Sequence, residues 1–468
     1  MALRKKNLFT FFVIAFIYVL VQFKGLMLIT PGDENVYFYM AKSLSEGSLP
    51  YRDFFYAHPP LHIIILSIII KVFGVNFFIL KSVTLAALVI ASFFIYRTSQ
   101  EIFINKLDKS ANYVISILAT VFFLFSFEIM FKSTFSIGIN FSLMFITISL
   151  YMLTKERYFV CGLFSGLAGL TRLYALPVFF AICIFTLVRN LKDKKFRDSL
   201  YMLFGFFITF GLTFLFLVLT LGNSFIEPVI KYHFLKPKLP GQRLPIYWNV
   251  VKENWVIIVA FISSIFVRGK RNFMHLFLII LSHLFFLLLV NAPAEFYFSI
   301  LFPPMAIIGS YSIFSLIGTV NNRYAKVIVT VLLASLFIWN TAADLVFLKK
   351  LGFLEFQPLQ QLVDKVKTAD SNKRLFGDDS IVPLLALMAD RHIALNYIDS
   401  NEKRLTSGVV NFYLLTNNLD DANLSYIILR KNRGMSQIME MREYVDTRCS
   451  FDEEYFDLVD GYFLVYKC

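Results

Sequence analysis

Charge is what this chain has least of. Only 16% of its 468 residues are Asp, Glu, Lys or Arg, whereas 57% are hydrophobic and 55 are Phe. No soluble domain can hide that much apolar surface, and repeated apolar runs of about 18 or more residues make the chain polytopic in a membrane. Cysteine is scarce too. The four are Cys161, Cys183, Cys449 and Cys468, with no CxxC pair and no His-rich tract, so no zinc-type pattern is present. Cys161 and Cys183 lie in apolar runs and read as inert core thiols. Cys449 and Cys468 lie in a more polar tail, where they could pair if the tail is outside the cytoplasm. There is no internal repeat, no low-complexity tract and no small-residue cleavage site after the first apolar run, which therefore reads as a retained helix.

Acid is also unevenly missing. The net charge is +13, yet residues 350–468 hold 14 basic and 18 acidic side chains, which leaves +17 on residues 1–349. The excess reads as membrane topology, with Lys and Arg in cytoplasmic loops, rather than as nucleic-acid binding. The expected organisation is a transmembrane domain over 1–349, including a first outer loop over 30–78, and an extracytoplasmic α/β domain over 350–468.

Eleven spans are expected: Leu8–Ile29, Ile79–Tyr96, Ala111–Phe127, Thr134–Leu153, Tyr158–Leu170, Leu173–Val188, Leu200–Leu221, Val251–Val267, Phe273–Val290, Phe296–Val320 and Ala325–Phe347. The segment carrying Arg4-Lys5-Lys6 and every even gap are basic: Arg97 to Lys109, Lys155 with Arg157, Lys192 to Arg197, Arg268 to Arg271, and Arg323 to Lys326. This puts the N-terminus in the cytoplasm and the tail outside. The fifth and sixth spans are short and read as a hairpin bent at Thr171-Arg172. Leu61–Phe73 is too short to span and reads as an interfacial helix with Lys71 toward water. In the tail, Pro358–Thr368 reads as an amphipathic helix, and Arg374–Gly377, Ser425–Leu429 and Tyr462–Tyr466 as strands.

Against this background the loop after the first span stands out. It gathers Asp33, Glu34, Glu46 and Asp53, followed by His58-Pro59-Pro60-Leu61. Glu34, Tyr37 and Ala41 share one face of a short helix by their spacing. Asp33 alone could be a helix N-cap beside Pro31-Gly32, but that leaves Asp53 and His58 in the same loop unexplained.

These residues resemble the first loop of GT-C membrane glycosyltransferases, the class of the protein O-mannosyltransferases and the lipid A aminoarabinose transferases. The resemblance rests on Asp33-Glu34, on Gly47-Ser48-Leu49-Pro50-Tyr51-Arg52-Asp53 and on Pro59-Pro60-Leu61. Looser matches are Gly162 to Leu170 followed by Thr171-Arg172, Tyr297 to Pro304, and Gly377-Asp378-Asp379 to Asp390-Arg391 in the tail. Arg172 stands where many relatives have Lys, and His58 where some lipid A-directed relatives have Lys.

The resemblance implies an α-helical polytopic enzyme of the plasma membrane. It implies inverting transfer of a sugar from a polyprenyl (dolichyl or undecaprenyl) phosphate donor to an acceptor hydroxyl on the extracytoplasmic face. Asp33 is then the expected general base, with Glu34 orienting it or binding acceptor and Asp53 as a second acid. The leaving lipid phosphate needs cations. Arg172, Lys231, Lys236 and Arg243 are the candidates. Arg172 also reads as a snorkelling residue at a helix end, and the Gly222–Asn249 cluster, which includes His233 and Lys238, as solvated loop charge. Tyr37, His58, Glu128 and Tyr297 are candidates for substrate contact, although Glu128 and Lys132 could simply pair along a helix. Other expected partners are membrane lipid and a glycan, lipid or protein acceptor. No cofactor is expected, and no acidic spacing supports a divalent metal. A transporter or lipid flippase is the competing reading; it should carry charges deep in several spans and show repeat symmetry. A receptor working through its tail is a third.

Overall fold

The computed structural model describes residues 2–193, 196–236, 241, 243–267, 273–291, 293–351, 356–408, 410–457 and 461–468. Lys194, Lys195, Lys238 and the whole Arg268-to-Arg271 basic loop lie outside them. The chain folds as two compact units. One comprises Met1–Leu26, Lys81–Phe216 and Leu239–Lys350; the other comprises Met27–Leu80, Leu217–Lys238 and Leu351–Cys468.

The first unit is helical. Each expected span carries a helix, but six among the described residues are long and apolar enough to cross a membrane, or seven if one bent pair counts as a span. Lys109–Leu124, Ile139–Thr154, Tyr158–Thr171 and Met274–Leu289 are shorter. The expected span over Val251–Val267 falls on the bent pair. Arg243–Glu253 and Trp255–Phe266 meet at 82°, at Asn254, whose side-chain amide donates to the Val250 carbonyl while its oxygen accepts from the Glu128 N–H. A side chain that takes over backbone hydrogen bonds is what lets an apolar helix turn sharply.

The hairpin at Thr171-Arg172 is present. Arg172 adopts φ −151° and ψ 127° and ends the Tyr158–Thr171 helix before Leu176–Asp193 begins. Glycine sets how closely the first of these helices packs. A Cβ on Gly162 would lie 2.0 Å from the Met202 carbonyl oxygen, and one on Gly205 would lie 2.1 Å from that of Phe159. The Tyr158–Thr171 and Phe196–Phe206 helices therefore touch backbone to backbone, as small residues allow in lipid where no hydrophobic effect drives association. Phe9, Phe12, Phe16 and Leu20 of the first helix are exposed, which suits a lipid-facing surface.

The second unit joins the first loop to the tail. Its sheet runs β1 (Arg374–Gly377), β2 (Leu424–Arg430), β3 (Ser450–Asp457) and β4 (Gly461–Lys467), in the order β1-β2-β4-β3. β1 pairs parallel to β2, and the other pairs are antiparallel. Three strands coincide with the expected ones. β3 was missed because Ser-Phe-Asp-Glu-Glu-Tyr-Phe-Asp is acidic, which suits an edge strand. Cys449 and Cys468 form a disulfide across this hairpin. Phe376, Leu424, Ile427 and Leu429 lie in the core beside Leu415, Leu419, Met441 and Val445 of the flanking helices.

The Asp33–Ser45 and Leu61–Phe73 helices belong to this unit. Three contacts fasten the former to the tail. The Gly32 N–H donates to the Ser380 carbonyl at 2.8 Å, the Ile393 N–H donates to the Tyr39 hydroxyl at 2.9 Å, and Lys42 pairs with Asp390 at 2.7 Å. The tail is thus the support on which the first-loop helix is mounted.

Candidate active site in the second unit

Gly32, not Asp33, occupies the N-cap position of the Asp33–Ser45 helix. Its φ of 149° is one that side chains rarely adopt. Asp33 is therefore the first helical residue and is exposed, whereas Glu34 is buried at 2%. The two adjacent carboxylates are in different environments. Asn35 locks the turn by donating to the carbonyls of Thr30 and Gly32.

The tail adds two carboxylates, Asp379 from the Gly377-Asp378-Asp379 stretch and Asp399, which the sequence did not single out. Asp379 is buried, and desolvation followed by the charges of Asp378, Asp399 and Asp33 holds its pKa well above the usual range. Asp399 is also raised, mainly by burial, with Arg404 and Lys236 opposing and Asp33 adding to the shift. Asp33 thus shares an electrostatic neighbourhood with two tail carboxylates that burial pushes toward the neutral form. Asp378 is tied down separately: it accepts from Ser380 and from Arg430 at 3.1 Å.

Two cations act on Asp399. Arg404 lies between two rings, 4.1 Å from the centroid of Phe55 and 4.3 Å from that of Tyr397. Lys236 donates to His233 Nδ1 at 3.2 Å and sits over the Tyr232 ring. His233 Nε2–H in turn donates to the Ala57 carbonyl at 2.7 Å, which fixes the tautomer that lets Nδ1 accept from Lys236. Tyr37 and His58 share a hydrogen bond at 3.3 Å, and Tyr51 donates to the His58 carbonyl at 2.6 Å. His58 and His233 lie with ring centroids 5.6 Å apart. The expected substrate residues Tyr37 and His58 are therefore gathered with Lys236 and His233.

Other candidates are held in different ways. Asp53 accepts from the Leu49 N–H at 2.7 Å and pairs with Arg52, which keep its carboxyl below the usual range. It closes its own turn. Lys231 pairs with Glu227 one helical turn away. The Gly222–Asn249 segment, expected as loop, is largely helical.

Arg172, Arg243, Glu128 and Tyr297 belong to the first unit. Arg172 is buried and donates to the Ile137 carbonyl. Arg243 donates to the carbonyls of Leu288 and Val290 at the end of the Met274–Leu289 helix. Tyr297 stacks near Tyr174, ring centroids 4.7 Å apart, and its carbonyl hydrogen-bonds His283. Glu128 is 1% exposed, its Oε1 has no hydrogen-bond partner among the described residues, and burial pushes its pKa to about 7. Lys132 lies over the rings of Phe131 and Phe135. No three His, Cys, Asp or Glu side chains among the described residues converge to hold a metal.

Comparison with known proteins places this architecture. Residues 57–218 match the dolichyl-phosphate-mannose-protein mannosyltransferase family. The whole chain superposes on ArnT from Cupriavidus metallidurans in its undecaprenyl phosphate-bound form, with TM-score 0.67, 11% identity, and 98% and 97% of the two chains covered. The apo form of that protein gives TM-score 0.69, 10% identity, and 99% and 98% coverage. The chain thus shares the fold of ArnT over nearly its whole length. The family match spans Ala57 to Val218, so it begins beside His58 and leaves Asp33 and the tail outside it. No sequence among curated proteins matches the chain.

Proposed function

We propose that the chain is an inverting glycosyltransferase that moves a sugar from a polyprenyl-phosphate donor to an acceptor hydroxyl on the extracytoplasmic face, with Asp33 as general base. The observation that carries this reading is the exposed carboxylate of Asp33 at the start of a helix fastened to the tail, sharing Asp399 as a neighbour with Lys236. The GT-C fold supports it, as does the capture of undecaprenyl phosphate by a protein of the same fold.

The chemistry follows from the charges. The Asp33 carboxylate takes the proton of the acceptor hydroxyl as the oxygen attacks the anomeric carbon. The bond from that carbon to the phosphate oxygen breaks, and the phosphate leaves with the electron pair. One displacement inverts the anomeric centre. Lys236, held by His233, meets the charge that grows on the phosphate. Lys231, Arg172 and Arg243 are further candidates for the donor, and Tyr37, His58, Glu128 and Tyr297 for substrate. Asp379 and Asp399 are kept toward the neutral form by burial, which leaves Asp33 as the exposed carboxylate of the group. The Cys449–Cys468 disulfide supports an oxidising compartment for the tail.

The experiment is transfer of radiolabelled sugar from synthetic polyprenyl-phosphate donors by the purified chain in detergent, with donor hydrolysis scored when no acceptor is added. Turnover that collapses in Asp33→Asn supports the reading. No turnover and no binding across mannose, glucose, galactose and arabinose donors overturns it.

A further inference from the structure

The first unit holds a second polar cleft, of about 340 Å³, lined by Glu101, Lys106, Thr154, Phe185, Arg189 and His275 among others. Its charges do not cancel. Glu101 is met by Lys155 at 2.7 Å and by Arg97 at 3.9 Å, and Arg189 pairs with Glu156. Lys106 makes no ion pair among the described residues. Arg97, Lys155, Lys106 and Arg189 against Glu101 and Glu156 leave a net charge of +2.

His275 is the decisive group. Its imidazole lines the cleft, is only 9% exposed and packs against the Phe185 ring at 5.2 Å. Nε2 has no hydrogen-bond partner among the described residues. A buried ring nitrogen without a partner forfeits its hydrogen bond to water, a cost a native fold rarely leaves standing unless a ligand or water meets it. Lys106 and Arg189 are the charged groups that act on this ring, so an anion satisfies both the nitrogen and the charge.

The rim tells which anion. Ile104, in the turn with Lys106, and Ile184, Leu187, Val188 and Leu191, on the Leu176–Asp193 helix with Phe185 and Arg189, are exposed. An apolar strip next to a cationic pocket fits acyl chains beside a phosphate, and basic pockets among membrane helices recognise lipid head groups in this way. We propose that this cleft binds the phosphate of a lipid head group, with His275 Nε2 and the Lys106 ammonium as donors and Arg189 as the second cation. The site uses none of the residues proposed for the transfer reaction.

Native mass spectrometry of the delipidated full-length chain tests it, with dioctanoyl phosphatidic acid as probe and dioctanoylglycerol, which lacks the phosphate, as control. Phosphatidic acid binds and dioctanoylglycerol does not. Lys106→Gln and His275→Gln each weaken binding about tenfold, the loss expected for one charge-assisted hydrogen bond. Lys106 is exposed, so its variant keeps the wild-type melting temperature and reads binding alone. Equal binding of the two probes, or unchanged affinity in Lys106→Gln, overturns the proposal. Displacement of phosphatidic acid by millimolar inorganic phosphate overturns the lipid assignment in favour of a soluble phosphate; persistence of binding supports it.

Discussion

Replacing Asp33 with Asn is the most informative perturbation, because the structure separates its catalytic cost from its structural one. The side chain is exposed at the first position of its helix, and Asn is nearly isosteric with it. Losing a carboxylate at a helix N-terminus costs about 0.3–1 kcal/mol. Removing one charge from the neighbourhood of Asp379 and Asp399 offsets part of that. The folded chain should therefore lose less than about 1 kcal/mol, with the monodispersity and melting behaviour of wild type. A general base contributes about 10²–10⁴ in rate, which at about 1.36 kcal/mol per decade is roughly 2.7–5.4 kcal/mol of barrier. The two costs differ enough to be told apart in one preparation. The assay is single-turnover sugar transfer from a radiolabelled polyprenyl-phosphate donor, beside donor affinity and thermal unfolding of the same sample. The expected result is unchanged donor affinity, near-native unfolding and a rate at least about a hundredfold lower. A well-folded Asp33→Asn protein that turns over at the wild-type rate refutes the assignment and moves the base to Glu34 or Asp53.

Charge reversal of Arg172, or of Lys231 together with Lys236, should weaken donor binding by roughly ten- to a hundredfold, the worth of hydrogen bonds to a charged group; equilibrium binding of a labelled donor measures it, and unchanged affinity in both variants removes these cations from the donor site. Asp379 carries a raised pKa in the fold, so the folded chain holds a proton that the unfolded chain has lost, and stability falls as pH climbs from the ordinary carboxylate range toward the raised value. Asp379→Asn should flatten that decline and melt higher than wild type near neutral pH; a parallel pH dependence in both proteins would show that the group does not titrate as inferred. Gly377→Ala places a Cβ 1.9 Å from the Ile428 carbonyl oxygen at a φ of 139°, so it should break the β1–β2 pairing and cost more than about 3 kcal/mol; limited proteolysis of the tail reports it, and wild-type resistance would contradict the packing.

The parts of this fold that could be read from sequence are those whose physics is local. A run such as Phe77–Phe103 is apolar over enough residues to announce itself, and Leu61–Phe73 has the expected bounds because Pro60 and Gly74 punctuate it. The break at Asn254 was not legible, since Lys252-Glu253-Asn254 reads as the polar end of an apolar run and only the tertiary partner Glu128 reveals why Asn254 is there. β3 was hidden by its acids for the same reason: an edge strand owes its place to β4, not to its own hydrophobicity.

The candidate site divides along the same line. Asp33 and Glu34 stood out because acid is rare around them, yet the sequence puts them side by side and does not say which is exposed. The fold decides that, in a helix start fastened through the Gly32 N–H to the Ser380 carbonyl some 350 positions along the chain. Asp399 and Arg404 had no local signature at all. They matter because the tail folds back onto the first loop within one unit, where Arg404 is gripped by Phe55 and Asp399 senses both Asp33 and Lys236. A carboxylate beside these groups works as a base only if the tail holds it there. The tail is therefore part of the site's electrostatics, and a variant that unfastens Lys42 from Asp390 should lower turnover without touching any group that meets the substrate.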